Sequence, residues 1–121
     1  MERIHRQHRL TRSRDYDELS ASGTAYRGRL CLLVVCPQAG ELSRVGFVAT
    51  KRSVGNAVRR NRARRRLREI VRRRMDRLPQ EGYLLMFVAF RGALTAPHQD
   101  LASDVERLLA RVGALAPIET P

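Results

Sequence analysis

A chain of 121 residues that is 43% hydrophobic is sized for one domain with a modest core, and is too apolar for a basic disordered tail. Its 24 basic against 12 acidic side chains leave a net charge of +12, which points to a polyanionic partner. Lys51 is the only lysine. The excess of arginine suits bidentate phosphate recognition, although a genome biased toward arginine codons explains the ratio equally well.

Residues 1–9 are polar and basic and read as a mobile arm. Residues 11–22 hold few apolar positions, chiefly Tyr16 and Leu19. They fit a short helix capped by Thr11 or Ser13 and stopped by Gly23. Residues 24–29 fit a short strand. Residues 30–36 are a Val- and Leu-rich run too short for a helix, ended by Pro37 and a turn through Gly40. Cys31 and Cys36 are an odd number of positions apart, so a strand points them to opposite faces and they should not pair. Both read as small buried hydrophobes of a reducing compartment. The start, MERIHRQHRL, has no apolar stretch for a signal peptide, and the runs 30–36 and 83–90 are too short to span a bilayer. A cytoplasmic protein with no membrane partner is expected.

Residues 44–50, RVGFVAT, predict a strand antiparallel to 30–36 through a hairpin, with Val45, Phe47 and Ala49 on one face. Residues 51–77 then carry thirteen basic side chains against Glu69 and Asp76, and no aromatic residue. Asn56 is a good N-cap for a helix to about residue 77. Ala63, Leu67, Ile70 and Val71 lie on one side of it, and Arg62, Arg65, Arg66 and Arg73 on the other. Pro79 and Gly82 end this element. Residues 83–90 are nearly all apolar, as in a strand covered on both faces. Thr95, Ala96 and Pro97 begin a last helix with a stripe of Leu101, Val105, Leu108, Leu109 and Val112, closed by Gly113. Residues 114–121 read as a frayed tail. The order α-β-β-β-α-β-α gives a single-domain α+β sandwich with helices packed on a small sheet.

Clustered arginines on one helix face, near its N-terminal dipole end, can grip RNA phosphates. A lone arginine of this kind is ordinarily a solvated residue, but a cluster this dense costs stability on its own. Asn61 can both donate to and accept from a base edge or a 2′-hydroxyl. Glu69 fits local pairs with Arg65, Arg66, Arg72 or Arg73. Tyr16 is either a base-stacking residue or an aromatic at the edge of the core. Gly55 fits a turn before the helix and lacks the companions of a phosphate-binding loop. His5, His8 and His98 form no metal pattern with the cysteines, and the acids show no pair suited to two-metal hydrolysis. No catalytic residue and no metal ligand is assigned to this chain. Any chemistry is expected in a partner.

Within the basic stretch the order is sharper than the charge. After Arg-Val-Gly-Phe come Lys51-Arg52, Gly55-Asn56-Ala57-Val58, Arg60-Asn61-Arg62, Arg64-Arg65 and Arg68-Glu69. This resembles the protein subunit of bacterial ribonuclease P, whose signature is the RNR motif. The resemblance spans roughly residues 9–112 and takes in Arg9-Leu10, Tyr16, Gly23 and the Leu108-Leu109 pair. It implies a fold of the ribosomal protein S5 domain 2-like type, with a four-stranded sheet and a left-handed β-α-β crossover, against the usual hand. It implies a large catalytic RNA as partner, one protein bound per RNA, and precursor tRNA as substrate. The RNA, using Mg2+, would hydrolyse the phosphodiester that releases the 5′ leader. Lys51, Arg52, Asn56, Arg60, Asn61, Arg62, Arg64, Arg65 and Arg68 would bind RNA. Tyr16, Arg29, Cys31 and Leu33 would meet the leader in a cleft between the first helix and an exposed strand face, across the sheet from the basic helix. The chain departs from the family pattern at Ser20, where a second aromatic is common, and at Leu84 and Phe90 in the last strand, with Arg91 following. The alternative is a ribosomal or nucleoid protein that coats nucleic acid without directing a reaction.

Overall fold

The chain runs α1 (Ser13–Ser22), β1 (Thr24–Arg27), β2 (Cys31–Leu42), β3 (Arg44–Val48), α2 (Lys51–Val54), α3 (Ala57–Arg72), β4 (Glu81–Ala89) and α4 (His98–Val112). This is a computed structural model that describes residues 4–114. Short 3-10 turns lie at Arg6–His8, Met75–Arg77 and Arg91–Leu94. The strands form one mixed sheet in the order β1-β2-β4-β3. β2 is antiparallel to both its neighbours, whereas β3 is parallel to β4.

The hairpin expected between β2 and β3 is therefore corrected, because β4 lies between them. β2 and β4 carry the two runs that are apolar on both faces, and such strands belong in the middle of a sheet. β3 carries Arg44 and Gly46 and takes the edge. The register of β2 against β4 breaks between Gln38 and Leu42, where the chain rounds the start of β4. Ser43 pins this crossing. Its N–H donates to the Gln80 carbonyl at 2.8 Å, and its Oγ accepts from the Tyr83 N–H at 3.2 Å. The path from β3 through α2 and α3 to β4 is thus a β-α-β crossover between neighbouring parallel strands.

The main core fills the space between one sheet face and helices α3 and α4. Leu33, Leu85 and Phe87 meet Leu67 and Ile70 of α3 and Leu101, Leu108 and Leu109 of α4 there. A smaller cluster lies under α1 on the opposite face, with Leu19, Val34 and Leu84 at its centre. Cys31 belongs to the first and Cys36 to the second, as their spacing predicted, and both are free thiols. Gly23 ends α1 in an extended conformation because of space. A Cβ there would strike the Leu19 carbonyl oxygen and lie 2.5 Å from Val34 Cγ1, so only glycine lets the helix end this close to β2.

Asn56 caps α3 as predicted, its Oδ1 accepting from the Arg59 N–H at 3.0 Å. The helix stops at Arg72, short of residue 77. Arg74 turns back to donate to the Ile70 carbonyl at 2.8 Å, satisfying a last-turn acceptor. The 3-10 turn that follows brings Arg74 and Arg77 onto Glu106 of α4, at 3.2 and 3.0 Å.

The mobile arm over residues 1–9 is corrected for residues 4–9. Ile4 is buried in the main core, and His8 Nδ1 lies 2.6 Å from the Ser43 carbonyl oxygen. Arg9 bridges Val45, and the Leu10 N–H donates to the Val45 carbonyl at 2.9 Å. The open edge of β3 offers unpaired backbone groups, and this segment takes them up. Residues 1–3 lie outside the described residues. So do residues 115–121 of the expected tail, whereas Ala114 is buried against the core.

Candidate nucleic-acid interface

α3 buries Ala63, Leu67, Ile70 and Val71 completely, and this fixes which side chains face outward. Lys51, Arg52, Asn56, Asn61, Arg62, Arg65 and Arg68 are exposed, while Arg60 and Arg64 are half-buried. The structure thus gathers the predicted RNA-binding residues on α2, on α3 and at Asn56, the N-cap of α3. Their roles differ. Asn56 spends its side-chain oxygen on the helix cap and so positions its neighbours. The Arg64 guanidinium donates to Asn61 Oδ1, which orients both. Arg60 Nε is buried with no hydrogen-bond partner among the described residues.

Arg66, expected on the free side, is corrected to a structural residue. Its guanidinium donates to the Ala93 carbonyl at 2.6 Å and to the Ala96 carbonyl, tying α3 to the loop before α4. Burial pushes its pKa down, and the charge of Arg62 pushes the same way.

Arg68 lies over the Phe47 ring, 5.7 Å from its centre, and Phe47 stacks on Phe87 with centroids 5.9 Å apart. Phe47, partly buried against the main core, therefore also holds an arginine in place. Beside it a groove of about 630 Å³ opens at the β3 edge. Val45, Gly46 and Phe47 line it, with Tyr16 of α1 on one side and Arg65 and Arg68 of α3 on the other. The Tyr16 hydroxyl donates to the Leu10 carbonyl at 3.1 Å. A Cβ on Gly46 would lie 2.7 Å from that hydroxyl, so the glycine makes room for the ring. Burial raises the Tyr16 pKa, and the charge of Arg64 opposes the rise. α1 and α3 pack on opposite faces of the sheet, but at this edge Tyr16 and the arginines share one groove.

The expectation that Cys31 and Leu33 lie on an exposed strand face toward α1 is corrected. Cys31 and Leu33 are fully buried and face α3 and α4. Asp104 of α4 sets this parity by drawing the start of β2 toward that face. Its carboxylate accepts from the N–H groups of Arg29, Leu30 and Cys31 at 3.0, 2.9 and 3.2 Å. Arg29 is exposed, in the turn beyond β1. The face shared with α1 carries instead Leu32 and Val34, whose partners on β4 are Val88 and Met86. Leu32, Val88, Met86 and Val48 are half-buried, an apolar strip that α1 leaves partly open.

Asp104 was not singled out in the sequence, where it stands as one of three residues between Leu101 and Val105 of the helix stripe. Burial raises its pKa, but the backbone donors of Arg29, Leu30 and Cys31 pull harder and hold the carboxyl below its ordinary value. The Cys31 thiol is pushed far up by burial and by the adjacent Asp104. Glu69 pairs with Arg72 at 2.6 Å and Arg73 at 3.3 Å, as its spacing predicted. The hydrogen bond from Arg72 is the main cause that brings its pKa down to about 2. Carboxyl titration followed by NMR should find Glu69 ionised well below pH 4, and Arg72→Ala should move its midpoint up. Any stability this depressed pKa carries is complete above the unfolded carboxyl value and is lost as pH falls toward 2.

Among the described residues no group of three His, Cys, Asp or Glu gathers as around a metal ion, and no helix is long and apolar enough to cross a membrane. The acids near the helices are committed elsewhere: Asp15 to Arg12 and Arg44, Glu69 to Arg72 and Arg73, Glu106 to Arg74 and Arg77.

Fold and charge together define a small α+β domain that presents a densely basic helical face, the kind of surface that suits a polyanion. The profile of the Ribonuclease P family matches residues 4–113, and the chain belongs to the ribonuclease P protein family. It is 39% identical over 108 residues to the ribonuclease P protein component of Dehalococcoides mccartyi, covering 89% of this chain and 87% of that one. It is 40% identical over 109 residues to that of Symbiobacterium thermophilum, covering 89% and 93%. The fold is similar to the RNase P protein of Staphylococcus aureus, with TM-score 0.76, 19% identity and coverage of 89% and 97%. It is also similar to that of Thermotoga maritima, with TM-score 0.73, 23% identity and coverage of 93% and 98%.

Proposed function

We propose that the chain, as the protein component of the endoribonuclease ribonuclease P, grips the catalytic RNA with the outer face of α2 and α3 and holds the 5′ leader of precursor tRNA along the α1 side of the sheet. The observation that carries this is the shared groove, where Tyr16 stands opposite Arg65 and Arg68. A protein that only coats nucleic acid has no use for an aromatic on that side.

Hydrolysis in this reading belongs to the RNA and its Mg2+ ions. Asp15, Glu69, Asp104 and Glu106 do not fit a magnesium site, because arginines and backbone N–H groups already occupy them. The protein's part is to neutralise phosphates that crowd together in the folded RNA and to orient the leader. One protein binds per RNA, in the cytoplasm, where free thiols such as Cys31 and Cys36 persist.

Reconstitution tests this. The protein alone should leave precursor tRNA intact. With a bacterial ribonuclease P RNA at low magnesium it should raise cleavage at the mature 5′ end, and no stimulation would sink the proposal. In that holoenzyme Tyr16→Ala should weaken precursor binding by roughly 1–3 kcal/mol, the range of one lost base stack, and spare mature tRNA. Equal losses for both would remove Tyr16 from the leader site.

A further inference from the structure

The β1 edge of the sheet, opposite the groove, carries a second cationic surface. Tyr26 and Arg27 are consecutive residues of β1 and point to opposite faces. Each belongs to a cation–aromatic pair. The Arg27 guanidinium sits 4.6 Å from the centre of the Phe90 ring on the α1 side, and the Arg111 guanidinium of α4 sits 5.4 Å from that of Tyr26 on the other. Arg111 also donates to the Arg27 carbonyl at 3.5 Å, so the two pairs stand back to back across one strand. Arg29 is exposed in the turn that follows. Among the described residues no carboxylate pairs with Arg27, Arg29 or Arg111, whereas Arg12, Arg44, Arg74 and Arg107 are all ion-paired. Asp104, the acid nearest this turn, spends its charge on backbone N–H groups and Arg107.

We infer that this edge is a distal binding site for single-stranded RNA, taken by the part of the precursor leader that runs past the sheet face. The inference rests on the leader reading above and extends it. The open strip is continuous across the sheet. Register places Gly46 and Val48 of β3, Met86 and Val88 of β4, Leu32 of β2 and Arg27 of β1 side by side on the α1 face. The crossing from β3 to β1 covers three strand spacings, about 14 Å. A strand that enters at Tyr16 and follows the strip arrives at Arg27 and Phe90, and continues over the edge onto Arg111 and Tyr26. Planar guanidinium groups held against aromatic rings offer a charge for phosphates and a stacking surface for bases of any sequence. This end of the path recognises single strands without reading their sequence.

The test compares two precursor tRNAs in the reconstituted holoenzyme, one with a leader that ends on the sheet face and one with a leader extended well beyond it. Arg111→Ala should weaken binding of the long-leader substrate roughly threefold to tenfold and flatten its salt slope by about 0.7. Binding of the short-leader substrate should not change, and Arg111→Lys should keep most of the slope. The melting temperature serves as the folding check on this exposed residue. Equal loss on both substrates, or no loss on either, overturns the inference. If Tyr16→Ala still weakens precursor binding in that case, the leader reading stands without a distal site. If neither variant and neither leader length matters, the leader reading itself falls.

Discussion

Asp104→Ala is expected to cost about 3 kcal/mol or more of stability, the largest single effect in this fold outside its apolar core. Asp104 is 1% exposed, and its carboxylate accepts from three consecutive backbone N–H groups at the turn between β1 and β2. Alanine removes the acceptor and leaves those donors facing a space that no other group fills. Gly28 shows how tightly the turn is built, since a Cβ there would lie 2.9 Å from the Asp104 carboxyl carbon. Thermal unfolding followed by circular dichroism should show the loss, and a variant that melts with the wild type would refute the assignment. The same residue predicts a pH dependence. Its folded pKa is lowered, so the native state binds the proton less readily than the unfolded chain. The stabilisation is fully present above the unfolded aspartate value, about 3.9, and is lost as pH falls through the folded one. Asp104→Asn should remove much of this acid-side slope.

The effect reaches the RNA site through parity. Asp104 holds the start of β2 so that Cys31 and Leu33 face the core and Leu32 and Val34 face α1. This is also where sequence reasoning was blind. The run 30–36 is apolar at nearly every position, and a strand buried on both faces carries no alternation to say which parity lies under which helix. The deciding residue stands more than seventy positions away, on a helix whose stripe of Leu101, Val105, Leu108 and Leu109 was readable without it. α3 was legible for the opposite reason. Its apolar residues recur with helical spacing amid arginines, so burying Ala63, Leu67, Ile70 and Val71 leaves no freedom in what faces out.

The strand order was hidden by a related ambiguity. Residues 30–36 and 44–50 are close in the chain, and proximity favours a hairpin. Only the burial demand of β4 on both faces places it between them. The packed segment 4–9 escaped notice because its contacts are a single isoleucine, a histidine to a carbonyl and backbone pairing with Val45, none of which leaves a periodic trace. The groove followed from all three. It needs β3 at an edge, residues 4–11 folded back along it and Gly46 opposite Tyr16.

The largest effect expected on RNA binding is that of Arg65→Ala combined with Arg68→Ala. Both side chains are exposed on the groove side of α3, and neither is ion-paired among the described residues. Arg68 is held over Phe47, so its charge is presented with little freedom left to lose on binding. Removing two phosphate contacts should flatten the dependence of log affinity on log salt by about one unit each, and weaken binding to the catalytic RNA by roughly tenfold or more at moderate salt. Arg66→Ala is the informative control. It removes the same charge from the same helix, but its guanidinium is committed to the Ala93 and Ala96 carbonyls. That variant should melt earlier while its salt slope stays close to that of the wild type. If the two variants change the slope alike, the charge of the helix acts only as a diffuse field, and the particular face built by α3 carries no meaning. If the double variant alone flattens it, the contacts belong to the side chains that the core of α3 forces outward.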